Sequence, residues 1–180
     1  MIILICGASH TGKTALSQRL MERLKIPYMS LDHLKMGLIR SGMTELTPMD
    51  DDKLTGFLWK IVREIIKTAI ENRQNMIIDG CYIPADFERD FGAEYIGHIR
   101  AFLLCMTEEY IGRELEKIIG KASVIEKRLD DSDCTKESLL RDNRQYAESH
   151  KGQSWHRIII DDTYDLEEYC NIITAEVNCK

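Results

Sequence analysis

The sequence predicts a three-layer α/β domain, a parallel sheet with helices on both faces. Three observations carry this. Five short runs are nearly unbroken in apolar character rather than alternating, as strands covered on both faces require. Amphipathic helical patterns separate those runs, which implies right-handed crossovers between parallel strands. A glycine-rich turn, "GASHTGKT", joins the first run directly to the first helix.

The expected strands are Ile2–Cys6, Ile26–Leu31, Asn75–Asp79, Ile99–Cys105 and Arg157–Asp161. The helical patterns are Lys13–Leu24, Asp32–Ser41, a long amphipathic Asp51–Asn72, Thr107–Ile119 and Asp165–Val177. Thr107 reads as an N-cap, with two glutamates behind it in the first turn. Residues 120–152 break the alternation: they are highly charged and hold no strand pattern. Two helices are expected there, Ala122–Leu129 and Lys136–Ser149, parted by the turn-forming "DDSDCT". Such an insertion reads as a lid-like cover over a site; the alternative is a solvated helical hairpin.

At 180 residues the chain is expected to form one domain spanning 1–180. A net charge of −6 argues against a general nucleic-acid binder, though not against a local basic pocket for phosphates. The apolar opening Met1–Cys6 is too short for a signal-peptide core or a membrane span, so no membrane association and a cytoplasmic setting are expected. None of the six cysteines stand as C-x-x-C, so neither a zinc site nor a redox pair is indicated.

The chemistry starts in the glycine-rich turn. Gly7, Ala8, Ser9, His10, Thr11, Gly12, Lys13 and Thr14 fit G-x-x-x-x-G-K-[ST]. Gly7 and Gly12 permit backbone conformations that aim amides at phosphate oxygens. Lys13 supplies a mobile point charge for the β- and γ-phosphates, and Thr14 a hydroxyl for Mg²⁺. The helix that follows adds its positive end. At ordinary residue frequencies a chain of this length carries the pattern by chance less than about once in a hundred. The strand before it and the helix after it are the context the motif requires.

Phosphoryl chemistry also needs carboxylates, one on the metal and one toward the nucleophile. Two acidic residues end strand patterns, where α/β sheets place ligands. Asp79 closes "NMIID" and reads as the metal-side group. Asp32 closes "IPYMSLD" and reads as the group facing an acceptor, as general base or positioner; the alternative is a simple helix N-cap, and the two roles can coexist.

Together these residues resemble the P-loop small-molecule kinases: adenylate, shikimate and gluconate kinases and related metabolite and zeta-toxin-type kinases. "MIIDGCYIP" is similar to the "LDGFPR" strand end of adenylate kinases, with Asp79 and Gly80 matching. "EKRLDDSDCTKESLLRDNRQY" resembles their lid and the helix after it, with Arg128, Arg141 and Arg144 matching in kind but not in spacing. "HRIIIDDTYDLEE" resembles the last strand and the adenine-bordering loop, at Asp161 and Thr163. The resemblance implies a sheet of order 2-3-1-4-5, MgATP as cosubstrate, and lid arginines over the transferring phosphoryl group. "RDNRQ" is equally a solvated helix face.

One departure bears on the acceptor. Adenylate-type kinases carry an arginine after "DGFP"; "DGCYIP" has none, which weakens a nucleotide acceptor. "LDHLKMGLIRSG" is instead similar to the segment after the second strand in metabolite kinases. There Lys35 and Arg40 could hold an anionic group on the acceptor, or lie on an exposed helix face. The expected activity is transfer of the ATP γ-phosphoryl group to the hydroxyl of a small-molecule acceptor. Nucleoside monophosphate phosphorylation, slow regulatory ATP hydrolysis and a toxin-like action on a sugar nucleotide are the alternatives.

Overall fold

A computed structural model describes residues 1–121 and 134–178. Its strands are β1 (Ile2–Gly7), β2 (Tyr28–Ser30), β3 (Met76–Asp79), β4 (Ile99–Met106) and β5 (Trp155–Ile160). Its helices are α1 (Lys13–Leu24), α2 (Leu31–Arg40), α3 (Asp51–Glu71), α4 (Ala93–Ile96), α5 (Glu108–Gly120), α6 (Lys136–Ser149) and α7 (Leu166–Asn178). The strands form one sheet in the order β2-β3-β1-β4-β5, and every pairing is parallel. This is the class and order the sequence implies.

The unbroken apolar runs are explained by two-sided burial. Along β1, Ile2, Leu4 and Cys6 face one layer, where α3 supplies Leu54, Leu58, Val62 and Ile66. Ile3 and Ile5 face the other, where α1 supplies Leu16 and Leu20, α5 Ile111 and Ile118, and α7 Ile173. The alternation of the strand thus feeds two cores at once, and all of Ile2–Cys6 is fully buried. Removing one such leucine would cost about 2–5 kcal/mol.

Element boundaries differ from expectation in physically simple ways. Strand β2 starts at Tyr28, not Ile26, because Pro27 has no amide to donate; its carbonyl still accepts from Ile77 N at 2.9 Å. Strand β5 is shifted back to Trp155–Ile160, and as an edge strand it leaves His156, Arg157 and Ile159 exposed. A 3₁₀ turn (Phe87–Asp90) and α4 were not foreseen, since four-residue pieces carry no helical period. Thr107 does cap α5, its side chain accepting from Tyr110 N at 3.1 Å.

Helix α6 has the expected bounds and opens on a capping box between Thr135 and Ser138. Its inner face docks on strand ends. Asn143 accepts from the Met106 amide at 3.1 Å, and Tyr146 Oη donates to the Cys81 carbonyl at 2.7 Å. The expected helix Ala122–Leu129, with Arg128, lies outside the described residues.

Candidate active site

The site forms at the carboxyl ends of β1, β3 and β2, where three strand-to-helix turns meet. The turn after β1 is held by its own backbone geometry. His10 and Gly12 both have positive φ, 67° and 83°. At Gly12 an added Cβ would stand 2.6 Å from the Tyr164 ring, so glycine is required there twice over. Tyr164 Oη donates to the Gly12 carbonyl at 2.9 Å. Thr11 Oγ1 and Lys13 Nζ both donate to the Ala8 carbonyl, at 2.9 and 2.7 Å. Lys13 is buried, its ammonium curled over the loop that α1 springs from. Ser9 and His10 are half-buried, and Cys134, just before α6, brings its sulfur 3.8 Å from His10 Nδ1.

Asp79 ends β3 fully buried, opposite Ile5 of β1 and Ser30 of β2. Gly80 follows with φ 156°, and its amide donates to the Ile5 carbonyl at 3.1 Å. A Cβ there would meet Leu31 at 2.7 Å, so β3 turns tightly under the start of α2. Asp79 is a fully buried carboxylate on the strand next to β1, whose following loop carries the Thr14 hydroxyl; both are hard-oxygen donors of the kind Mg²⁺ takes. Among the described residues no three His, Cys, Asp or Glu side chains gather to hold a metal by themselves. A cation here would depend on phosphate oxygens for the rest of its shell, as Mg²⁺ in nucleotide sites does.

Asp32 stands in the first turn of α2, behind the N-cap Ser30. It is therefore not itself the cap. Its Oδ1 lies 2.9 Å from Lys35 Nζ. Lys35 also donates to Tyr82 Oη at 2.7 Å and sits 4.9 Å over the Tyr82 ring. Tyr82 in turn donates to Asp51 Oδ1, at the start of α3, at 2.7 Å. A continuous relay results: Asp32, Lys35, Tyr82, Asp51. Burial holds the Tyr82 hydroxyl above its ordinary pKa, and Asp51 and Asp32 add to this, so it remains a neutral phenol.

Cys81 follows Gly80, and its carbonyl accepts from Tyr146 Oη. Burial pushes its thiol up; Lys13 opposes that, Asp32 adds to it, and Lys35 and Asp51 follow with opposite signs. Tyr146 and His150 of the α6 end close the back of this region. Their rings stack at 5.2 Å, and His150 Nε2 lies 3.7 Å from Cys6 Sγ and 3.4 Å from the Ile83 carbonyl.

The other expected site residues lie further out. Arg40 is exposed in the last turn of α2, about 12 Å along the helix axis from Asp32. Arg141 is exposed and pairs with its neighbour Asp142 at 3.0 Å. Arg144 pairs with Glu108 at the start of α5 at 2.5 Å. Neither touches the loop. Asp161 and Thr163 are exposed after β5; Arg113 donates to the Asp161 carbonyl, and the Thr163 carbonyl accepts from Tyr169. The same loop carries Tyr164 onto Gly12, which puts it beside the phosphate-binding turn. Tyr82, Asp51, Tyr146, His150 and Tyr164 were missed in the sequence. The aromatic residue after "DGC" was the one local signal for any of them.

Fold and loop together define a P-loop domain. Residues 2–91, half of the chain, match the family described as "AAA domain", and the chain belongs to that family. A search of the curated proteins found no match. Solved structures share the fold across nearly the whole chain. A gluconokinase from Sinorhizobium meliloti 1021 superposes with a TM-score of 0.56 at 14% identity, covering 97% of this chain and 90% of its own. The shikimate kinase of Aquifex aeolicus gives 0.53 at 17%, covering 98% and 96%. A deoxyadenosine kinase from M. mycoides gives 0.59 at 14%, covering 100% of both chains. At such identities the likeness is one of fold. No helix among the described residues is long and apolar enough to cross a membrane.

Proposed function

We propose that this protein is an ATP-dependent kinase that transfers the γ-phosphoryl group of MgATP to a hydroxyl of a small-molecule acceptor. The observation that carries this is that the loop holding Lys13 and the contact chain Asp32–Lys35–Tyr82–Asp51 lie at the carboxyl ends of neighbouring parallel strands of one sheet. A loop that only bound or hydrolysed nucleotide would need no carboxylate relay on the far side of its lysine.

In this reading the loop amides from Ala8 to Thr14 and the Lys13 ammonium bind the phosphates, the ammonium leaving the Ala8 carbonyl for the β- and γ-oxygens. The Thr14 hydroxyl and the Asp79 carboxylate hold Mg²⁺, directly or through water. The cation supplies charge neutralisation on the phosphates. Asp32 orients the acceptor hydroxyl and takes its proton as the acceptor oxygen bonds to the γ-phosphorus. The bond to the bridging oxygen breaks, and ADP leaves with that electron pair. Asp161 and Thr163 border the base. Arg141 and Arg144 are assigned no phosphate contact in this arrangement, since Asp142 and Glu108 engage them.

Neighbours whose names state a substrate include kinases of gluconate, shikimate, a sugar and deoxyadenosine, all of them small hydroxyl compounds. The test is a coupled ADP-release assay run with and without candidate acceptors. Acceptor-stimulated release that disappears in Lys13→Ala supports the reading. Release that no acceptor raises would leave a nucleotide hydrolase.

A further inference from the structure

Resting on the reading that the turn after β1 binds nucleotide phosphates, we infer that Tyr164 is a positioning residue for them: from the loop after β5, its hydroxyl fixes the peptide that joins Gly12 to Lys13 and so sets the direction of the Lys13 amide. The Gly12 carbonyl accepts two hydrogen bonds. One comes from the Leu16 amide at 3.1 Å and begins the helical ladder of α1; the other comes from Tyr164 Oη at 2.9 Å. The peptide is trans, so its C=O and N–H lie in one plane and point in opposite directions. With the carbonyl aimed along α1 at Leu16, the Lys13 N–H is aimed out of the N-terminal end of the helix. Phosphates bind helix starts from that side. Gly12, at φ 83°, stands immediately before α1, and glycine is the residue whose backbone turns most freely. A second bond on its carbonyl restricts that freedom.

The tyrosine is itself held in place. A Cβ added to Gly12 would stand 2.6 to 2.7 Å from three atoms of the Tyr164 side chain, so the ring lies directly on the glycine. Tyr169 of α7 meets that ring edge-on, with 5.4 Å between centroids, and its hydroxyl donates to the Thr163 carbonyl at 3.0 Å. Arg113 of α5 donates to the carbonyls of Asp161 and Asp162, at 3.1 and 2.5 Å. Three successive carbonyls before Tyr164 are therefore fastened by side chains from two helices. Burial holds the Tyr164 hydroxyl above its ordinary pKa and Tyr169 adds to this, so it keeps its proton and remains a donor at neutral pH. A donor placed in advance gives up little conformational freedom when it bonds. In the proposed function the same loop borders the base at Asp161 and Thr163, and Tyr164 ties that border to the phosphate turn.

The test is Tyr164→Phe in the full chain, which keeps the ring on Gly12 and removes only the hydroxyl. ATP and inorganic tripolyphosphate, each with Mg²⁺, displace a fluorescent ATP analogue from both proteins, at a temperature where denaturation curves show both folded. Each probe should bind the variant about three- to tenfold more weakly, and KM for ATP should rise by a similar factor. Unchanged ATP affinity would overturn the inference even if the denaturation midpoint fell, because a purely structural tyrosine moves only the midpoint. So would a fall for ATP without a matching fall for tripolyphosphate, which would put the effect at the base. A parent chain that binds no nucleotide would remove the phosphate-loop reading, and the inference with it. Weakened binding in the variant, beside a parent chain that binds ATP and transfers nothing, would uphold the inference and remove only the transfer reading.

Discussion

The two halves of the site are built from different materials. On the phosphate side, the turn after β1 is shaped by backbone: positive φ at His10 and Gly12, and carbonyls that accept from Thr11, Lys13 and Tyr164. On the acceptor side, geometry comes from side chains that meet across α2, α3 and the segment after β3. A backbone cradle recognises what every phosphate has in common. In the proposed function, a side-chain relay would recognise what distinguishes one acceptor from another, and it changes with a single substitution.

The comparison can be broken at either end. Lys13→Ala should give the largest effect, a loss of at least about 10³-fold in acceptor-stimulated turnover with weakened nucleotide binding, measured by ADP release and by titration with an ATP analogue. Asp32→Asn should cut kcat by about 10²–10⁴ and spare nucleotide affinity. A proportionate loss of ATP binding would put Asp32 in the nucleotide half instead.

Gly12→Ala tests the backbone half. The strained φ and the clash with Tyr164 should cost about 1–3 kcal/mol in chemical denaturation and weaken nucleotide binding. Adding Tyr164→Ala removes the clash but not the strain, so it should recover only part of the loss. Tyr146→Phe tests the contact that seats α6 on the acceptor side. Losing its bond to the Cys81 carbonyl should cost about 1 kcal/mol of stability. An unchanged denaturation midpoint would mean that α6 is seated by Asn143 and apolar packing alone.

The smallest effect is a pH dependence at the back of the site. Burial holds the His150 imidazole below its ordinary pKa. The unfolded chain therefore binds its proton at a higher pH than the folded chain does. This contribution is full above the ordinary histidine range, about pH 6.5, and is lost as pH falls below it. His150→Gln should lower stability at neutral pH and reduce the difference between about pH 7.5 and about pH 5.5. An equal slope in both proteins would show that His150 does not titrate on unfolding.

The phosphate half was legible because its information is local. Eight consecutive residues specify the turn, and an apolar run before it and a helix after it specify its setting. The sheet order was legible only through resemblance, and the edges of β2 and β5 blurred where Pro27 and one-sided burial interrupt the pattern. Asp32 and Asp79 were found because each closes a strand run. Tyr82, Asp51 and Tyr146 were not, because their meaning lies in meeting across three elements far apart in the chain. Tyr164 lies 152 residues from the glycine it braces, and no spacing rule connects them. Lys35 was read as a group to hold an anion or as part of an exposed helix face; its partners, the Asp32 carboxylate and the Tyr82 hydroxyl, were not legible.

The central claim is that the γ-phosphoryl group goes to an organic hydroxyl. It is tested most directly with ATP labelled in that group, incubated with the full chain, Mg²⁺ and the acceptor probes, and with Lys13→Ala and Asp32→Asn as controls. The account predicts label in an organic phosphate, lost in both variants. Label appearing only as inorganic phosphate, at a rate no acceptor changes, would contradict it.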